Sequence, residues 1–141
     1  MIICYFISLF CEYPKLKLTF SHLIAVLPTM IIRKITKELI ESGREYPVVT
    51  ILGPRQSGKT TLVKMAFPDK PYYSFENPDI RMAVETDPRG FLNNLPDGAI
   101  LDEIQKFPQL LSYIQGIVDD TQLKGMFILT GSHQHPNCIR Q

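Results

Sequence analysis

The sequence predicts an α/β protein with a mainly parallel sheet covered by helices on both faces. Three observations lead there. Val48-Val49-Thr50-Ile51-Leu52, Ala99-Ile100-Leu101 and Met126-Phe127-Ile128-Leu129 are short, mostly apolar runs, the pattern of strands buried on both sides. Segments with helical periodicity separate them, which is the order of strand–helix–strand units. The first run also passes directly into a glycine loop, Gly53 to Thr60, placed where a strand turns into a helix.

The elements follow in order. Ile31, Ile35 and Leu39 recur every four residues, with Ile32 beside them and Lys34, Lys37, Glu38 and Glu41 between. That spacing predicts an amphipathic helix from about Met30, closing at Ser42-Gly43. Pro47 leads into the first strand. The helix after the glycine loop continues until Pro68, which cannot extend it. Tyr72-Tyr73-Ser74-Phe75-Glu76 reads as a second strand. Asn77-Pro78-Asp79 is a helix start, with a cap, a proline in the first turn and an acid near the dipole's positive end. Asp87-Pro88 repeats that signal ahead of Phe91 and Leu92. Pro96-Asp97-Gly98 turns into a strand over Ala99–Glu103, and Pro108 opens a helix carrying Leu110, Leu111, Ile114, Ile117 and Val118. The last strand, Met126–Thr130, is expected to be capped by Gly131.

Composition bounds the class. With 141 residues, 45% hydrophobic and 21% charged, the chain supports one globular domain rather than a disordered segment. A net charge of +1 gives no electrostatic footprint for nucleic acid. Cys4, Cys11 and Cys138 are an odd number without paired spacing, which fits a reducing cytoplasm and neither a disulfide scaffold nor a zinc site. Residues 1–29 stand apart as an N-terminal extension. Met1–Cys11 and Leu23–Leu27 are apolar, and Leu16-Lys17-Leu18-Thr19-Phe20 alternates as an exposed strand would. Neither apolar run reaches the length of a membrane span, and no positive region precedes the first as in a signal peptide. Three readings stand: a spurious or dispensable extension with translation starting at Met30, a packed extra element, or a membrane or targeting segment. Residues 30–134 form the domain and 135–141 a tail.

Gly53-Pro54-Arg55-Gln56-Ser57-Gly58-Lys59-Thr60 fits the phosphate-loop pattern G-x-x-x-x-G-K-[ST]. Each required residue answers a demand made by a triphosphate. The glycines let successive N–H groups face phosphate oxygens. Lys59 brings a mobile charge to the outer phosphates, and the Thr60 hydroxyl is the expected magnesium ligand. About forty residues on, Asp102 ends an apolar strand, where ligands of open parallel sheets bind, and Glu103 follows it. The first carboxylate suits a metal; the second suits polarising a water for attack on the outermost phosphate. A solvated Asp-Glu pair is the plainer alternative, which the loop upstream outweighs. No guanine-reading Asn-Lys-x-Asp run occurs, so ATP is favoured over GTP. Thr130 or Ser132, ending the next strand, could orient the attacking water or merely serve a local turn.

Together these residues resemble prokaryotic AAA-type ATPases, whose ATPase domain is usually followed by a C-terminal domain of unknown function. The resemblance covers about Met30 to Gln134. It rests on Gly53 to Leu62, Phe75-Glu76-Asn77-Pro78, Asp102-Glu103-Ile104-Gln105-Lys106 and Leu129-Thr130-Gly131-Ser132. It implies a three-layer α/β/α P-loop NTPase with ATP and magnesium (Mg2+) as cofactors. The implied nucleotide-binding set is Gly53, Pro54, Arg55, Gln56, Ser57, Gly58, Lys59, Thr60, Thr61 and Thr130. Thr60 and Asp102 are the implied metal ligands, Glu103 and Lys59 the catalytic residues, and Thr130 or Ser132 the sensor.

The family continues after the Thr-Gly-Ser turn with a further helix and strand, a helical lid and the extra domain. Here the chain runs from His133 to Gln141, so the fold is expected to be incomplete at its C-terminal end, without the lid arginine or arginine finger. Arg55 is not assigned that role. The absent strand would flank the phosphate-loop strand and leave it an apolar edge, which Leu16–Phe20 could cover. His133, His135 and Cys138 lack a fourth metal ligand, and a frayed tail or out-of-frame sequence is the plainer reading. The leading function is ATP binding with magnesium-dependent hydrolysis. A truncated, hydrolysis-deficient nucleotide-binding remnant is the alternative. A nucleic-acid- or partner-remodelling switch in the intact parent, with self-association or a protein partner, is neither supported nor excluded by the charge pattern.

Overall fold

The computed structural model describes the backbone of residues 3–6 and 27–132 and the side chains of residues 34–132. Within them lies one all-parallel sheet of β1 (Ile3–Phe6), β2 (Val48–Gly53), β3 (Tyr72–Ser74), β4 (Ala99–Asp102) and β5 (Phe127–Ser132). Their spatial order is β1-β2-β5-β4-β3. The helices are α1 (Leu27–Glu45), α2 (Lys59–Ala66), α3 (Pro78–Thr86), α4 (Pro88–Asn93) and α5 (Leu110–Thr121), with a 3₁₀ turn at Ile104–Lys106.

Because side chains alternate across a strand, the sheet has two apolar faces. Val49, Ile51, Ile100 and Ile128 meet Leu39 of α1 and Val63 and Ala66 of α2. Val48, Leu101, Phe127 and Leu129 meet Val84, Leu92, Leu110, Ile114 and Val118 of α3, α4 and α5. Each of these larger side chains contributes about 1.5–3 kcal/mol by leaving water. The expected α/β/α layering with a parallel sheet is the observed fold. Both proline-led helix starts form as read: the Asn77 carboxamide accepts from the Asp79 N–H at 2.9 Å and the Asp87 carboxylate from the Gly90 N–H at 2.8 Å.

Several boundaries differ from expectation, each for a packing reason. Helix α1 runs through Ser42-Gly43 to Glu45. Ser42 Oγ donates back to the Glu38 carbonyl at 2.7 Å, and a Cβ on Gly43 would lie 2.9 Å from the Phe67 ring. Gly43 is therefore a contact site between helices rather than a stop. Gly131 lies inside β5, opposite Leu52, where a Cβ would meet the Leu52 side chain at 2.8 Å. The second strand stops at Ser74, and β4 stops at Asp102 because Glu103 turns to a left-handed φ of 57°. The helix placed at Pro108 begins at Leu110, after the 3₁₀ turn. On the far edge of β2 lies β1, with Ile3 opposite Val49 and Phe6 opposite Leu52. Leu16–Phe20, the segment expected there, lies outside the described residues, as do His133, His135 and Cys138. Among the described residues, no helix is long and apolar enough to cross a membrane.

Two glycines give opposite expectations. Gly98 has φ +76° and a Cβ there would lie 1.7 Å from the Met126 carbonyl oxygen. Gly98→Ala should cost more than about 3 kcal/mol, through strain and forced separation of β4 from β5. Gly116, inside α5, has no atom within 4 Å of its would-be Cβ. Gly116→Ala should add about 0.5–1 kcal/mol, since alanine forms helix better. Urea unfolding of both variants measures the two shifts.

Candidate functional site

Parallel strands place their carboxyl ends together, and register sets which residues arrive there. Gly53 stands opposite Ser132, and Ser74 opposite Asp102. The loop after β2 and the residues ending β4 and β5 thus share one rim of the sheet. Gly58 precedes α2 with φ +79°, and a Cβ there would meet nothing within 4 Å, so the need for glycine is conformational. Gln56 also has a positive φ, 59°. Gly58 offers no side-chain cap and the first turn of α2 holds no acid, so neither supplies a partner to the helix's leading amides.

Lys59 is 7% exposed and curls back over the loop. Its Nζ donates to the carbonyls of Pro54 at 2.6 Å and Gly53 at 3.1 Å, and to Ser57 Oγ at 3.4 Å. Burial lowers its pKa from the usual lysine value, against the opposing pull of Glu103 and Asp102. Pro54, Arg55, Gln56, Ser57 and Thr61 are exposed around it. Arg55 Nη2 lies 3.8 Å from Glu76 Oε1 with both side chains largely in solvent, a surface pair of small energetic value. Arg81 donates to the carbonyls of Phe75 and Glu76 and so anchors the loop that carries Glu76.

Asp102 is the meeting point. It is 5% exposed and receives hydroxyls from three elements. Thr60 Oγ1 donates to Oδ2 at 3.0 Å, Tyr72 Oη to the same oxygen at 2.5 Å, and Thr130 Oγ1 to Oδ1. Burial, then the hydrogen bond to Asp102, pushes the Tyr72 phenol up to about 12. Glu103, at its left-handed φ, donates its N–H to Thr130 Oγ1 at 3.3 Å. Its carboxylate accepts from Ser132 Oγ at 2.6 Å and from Gln105 Nε2. A left-handed non-glycine residue costs on the order of 1–3 kcal/mol and is typical of functional sites.

The structure therefore brings Lys59, Thr60, Asp102, Glu103, Thr130 and Ser132 to one rim. Thr130 is fully buried against Asp102, whereas half-buried Ser132 stands beside Glu103. Tyr72, Gln105 and Lys64 were not anticipated. Tyr72 reads in sequence as one more apolar strand residue, and only its hydroxyl hinted otherwise. The oxygen donors at Thr60 and Asp102 suit magnesium, a hard cation that takes one or two protein ligands and keeps waters and phosphate oxygens for the rest.

A family model described as an AAA domain matches residues 45–137, and the chain belongs to that family. It is a nucleotide-binding domain of AAA type. Two curated relatives, each described as an uncharacterized protein, come from Mycobacterium bovis and Mycobacterium tuberculosis. Each is 35% identical over 88 residues, which is 61% of this chain and 20% of the relative. The chain thus spans about a fifth of the length of the relatives it matches. No solved structure matches.

Thr130→Val tests the buried hub without changing side-chain shape. It removes the donor to Asp102 and the acceptor for the Glu103 N–H. The expected loss of stability is about 1–3 kcal/mol, read from the urea midpoint.

Proposed function

We propose that this domain binds ATP with magnesium and hydrolyses it to ADP and phosphate. The observation that carries the reading is the Thr60–Asp102 contact, 3.0 Å across 42 residues, directly beside the buried ammonium of Lys59. A glycine turn without a phosphate role has no reason to bring a helix-start hydroxyl onto a buried carboxylate at a strand end. In the proposed role, Gly53 to Thr61 surround the phosphates and Lys59 exchanges its loop carbonyls for phosphate oxygens. Thr60 and Asp102 hold magnesium, which when bound neutralises charge on the outer phosphates. The Glu103 carboxylate accepts a proton from water as the water oxygen attacks the outermost phosphorus. The bond to the bridging oxygen then breaks, and ADP leaves with it. Ser132, on Glu103, is the better placed of the two candidate sensor hydroxyls; Thr130 acts through Asp102.

Binding and turnover separate experimentally. Lys59→Ala should weaken ATP binding at least about tenfold, the worth of one charge-assisted hydrogen bond. Glu103→Gln should keep binding and reduce phosphate release by about 10²–10⁴-fold. Magnesium-dependent binding that Lys59→Ala leaves untouched would sink the reading. Tight binding without phosphate release in the unaltered chain would favour a hydrolysis-deficient nucleotide-binding domain.

A further inference from the structure

Asp102 needs an orienting donor that has no second task, and Tyr72 supplies it. We infer that Tyr72 is a positioning residue for the metal-binding carboxylate of Asp102. This rests on the nucleotide reading above and adds a role for a residue outside both the loop and the acidic pair.

The carboxylate has two oxygens, and their partners differ in what else they do. Thr130 holds Oδ1 from the buried interior of β5. On Oδ2, Thr60 shares its place with Tyr72. The Thr60 oxygen is itself directed at the metal in the proposed role, so its hydrogen bond to Asp102 is exposed to every change at the phosphates. Tyr72 has no such duty. In the proposed role its hydroxyl holds Oδ2 both before and after the metal binds.

The geometry suits a tyrosine. Tyr72 pairs with Ile100, two residues before Asp102 on the same face of β4. Its side chain therefore reaches two residues along the parallel β4 to Asp102, a span that suits a long aromatic side chain. It packs against the cluster containing Ile100 and Ile128. Above it, Lys64 Nζ stands 3.6 Å from the ring centroid. Lys64 is one helical turn beyond Thr60, so α2 both presents the metal-side hydroxyl and presses on the ring that orients the carboxylate. Partners of metal ligands in such second positions typically change metal affinity by about 10–100-fold when lost.

The test uses the full chain and a fluorescent N-methylanthraniloyl derivative of ATP, titrated in EDTA and then with increasing magnesium. Tyr72→Phe should leave magnesium-free nucleotide affinity within about twofold while raising the magnesium concentration for half-maximal effect about tenfold. An unchanged magnesium dependence, beside a Lys59→Ala control that has lost binding, overturns this inference alone. A parallel loss of affinity with and without magnesium also overturns it, since that is the mark of a structural role. Absence of magnesium-enhanced binding in the unaltered chain overturns the nucleotide reading, and this inference with it. Should Tyr72→Phe not fold, Lys64→Met frees the ring and keeps the hydroxyl. A smaller shift of the same sign then supports the inference, and no shift overturns it.

Discussion

A carboxylate removed from water loses several kcal/mol of hydration, and the sheet can close over Asp102 only if protein donors replace that water. Three hydroxyls do so, from Thr60 on α2, Tyr72 on β3 and Thr130 on β5. None of these elements is a chain neighbour of β4. The carboxylate therefore ties the phosphate-loop helix, the edge strand and the central strand to one point. Among the described residues no buried side-chain nitrogen or oxygen lacks a partner, so this polar hub is fully satisfied within an apolar sheet.

The packing around the hub is equally constrained. β2 is apolar along both faces and delivers the glycine loop, so both of its edges need a neighbour. β5 lies on one side and β1 on the other. On the helical layer, α1 approaches closely enough that its Gly43 carbonyl would sit 2.4 Å from a Cβ on Gly125, which has φ +63°. Gly43 itself admits the Phe67 ring. Small residues at these points set how near α1 and α2 come to the sheet, and thus where α2 starts relative to Asp102.

Function follows from how these constraints are spent. Lys59 and Glu103 are both held before any ligand is considered, one by loop carbonyls and the other by Ser132 and Gln105. Under the proposed hydrolysis Lys59 must leave its carbonyls for the phosphates, whereas Glu103 keeps its partners, and a group so held reorganises little when charge develops nearby. Glu103 takes a left-handed φ directly after Asp102, a local cost that the pairing of β4 with β3 and β5 sustains.

Reading the sequence alone reached the layered parallel fold, the two proline-led helix starts, the glycine loop and the Asp102-Glu103 pair. These depend on local rules: apolar runs, caps, and a phosphate loop whose residues are contiguous. Boundaries at Ser42-Gly43 and Gly131 were misread because glycine looks like a stop until a neighbour that needs the space is known. Tyr72 went unseen because its partner is 30 residues away and on another strand. The strand beside β2 was likewise decided by pairing, since several apolar segments offer the same hydrogen-bonding backbone. What the sequence determined by itself is the alternation of strands and helices and the contiguous glycine loop between β2 and α2. The tertiary structure alone decided which hydroxyls surround Asp102, because strand register, not sequence distance, brings those groups within hydrogen-bonding reach.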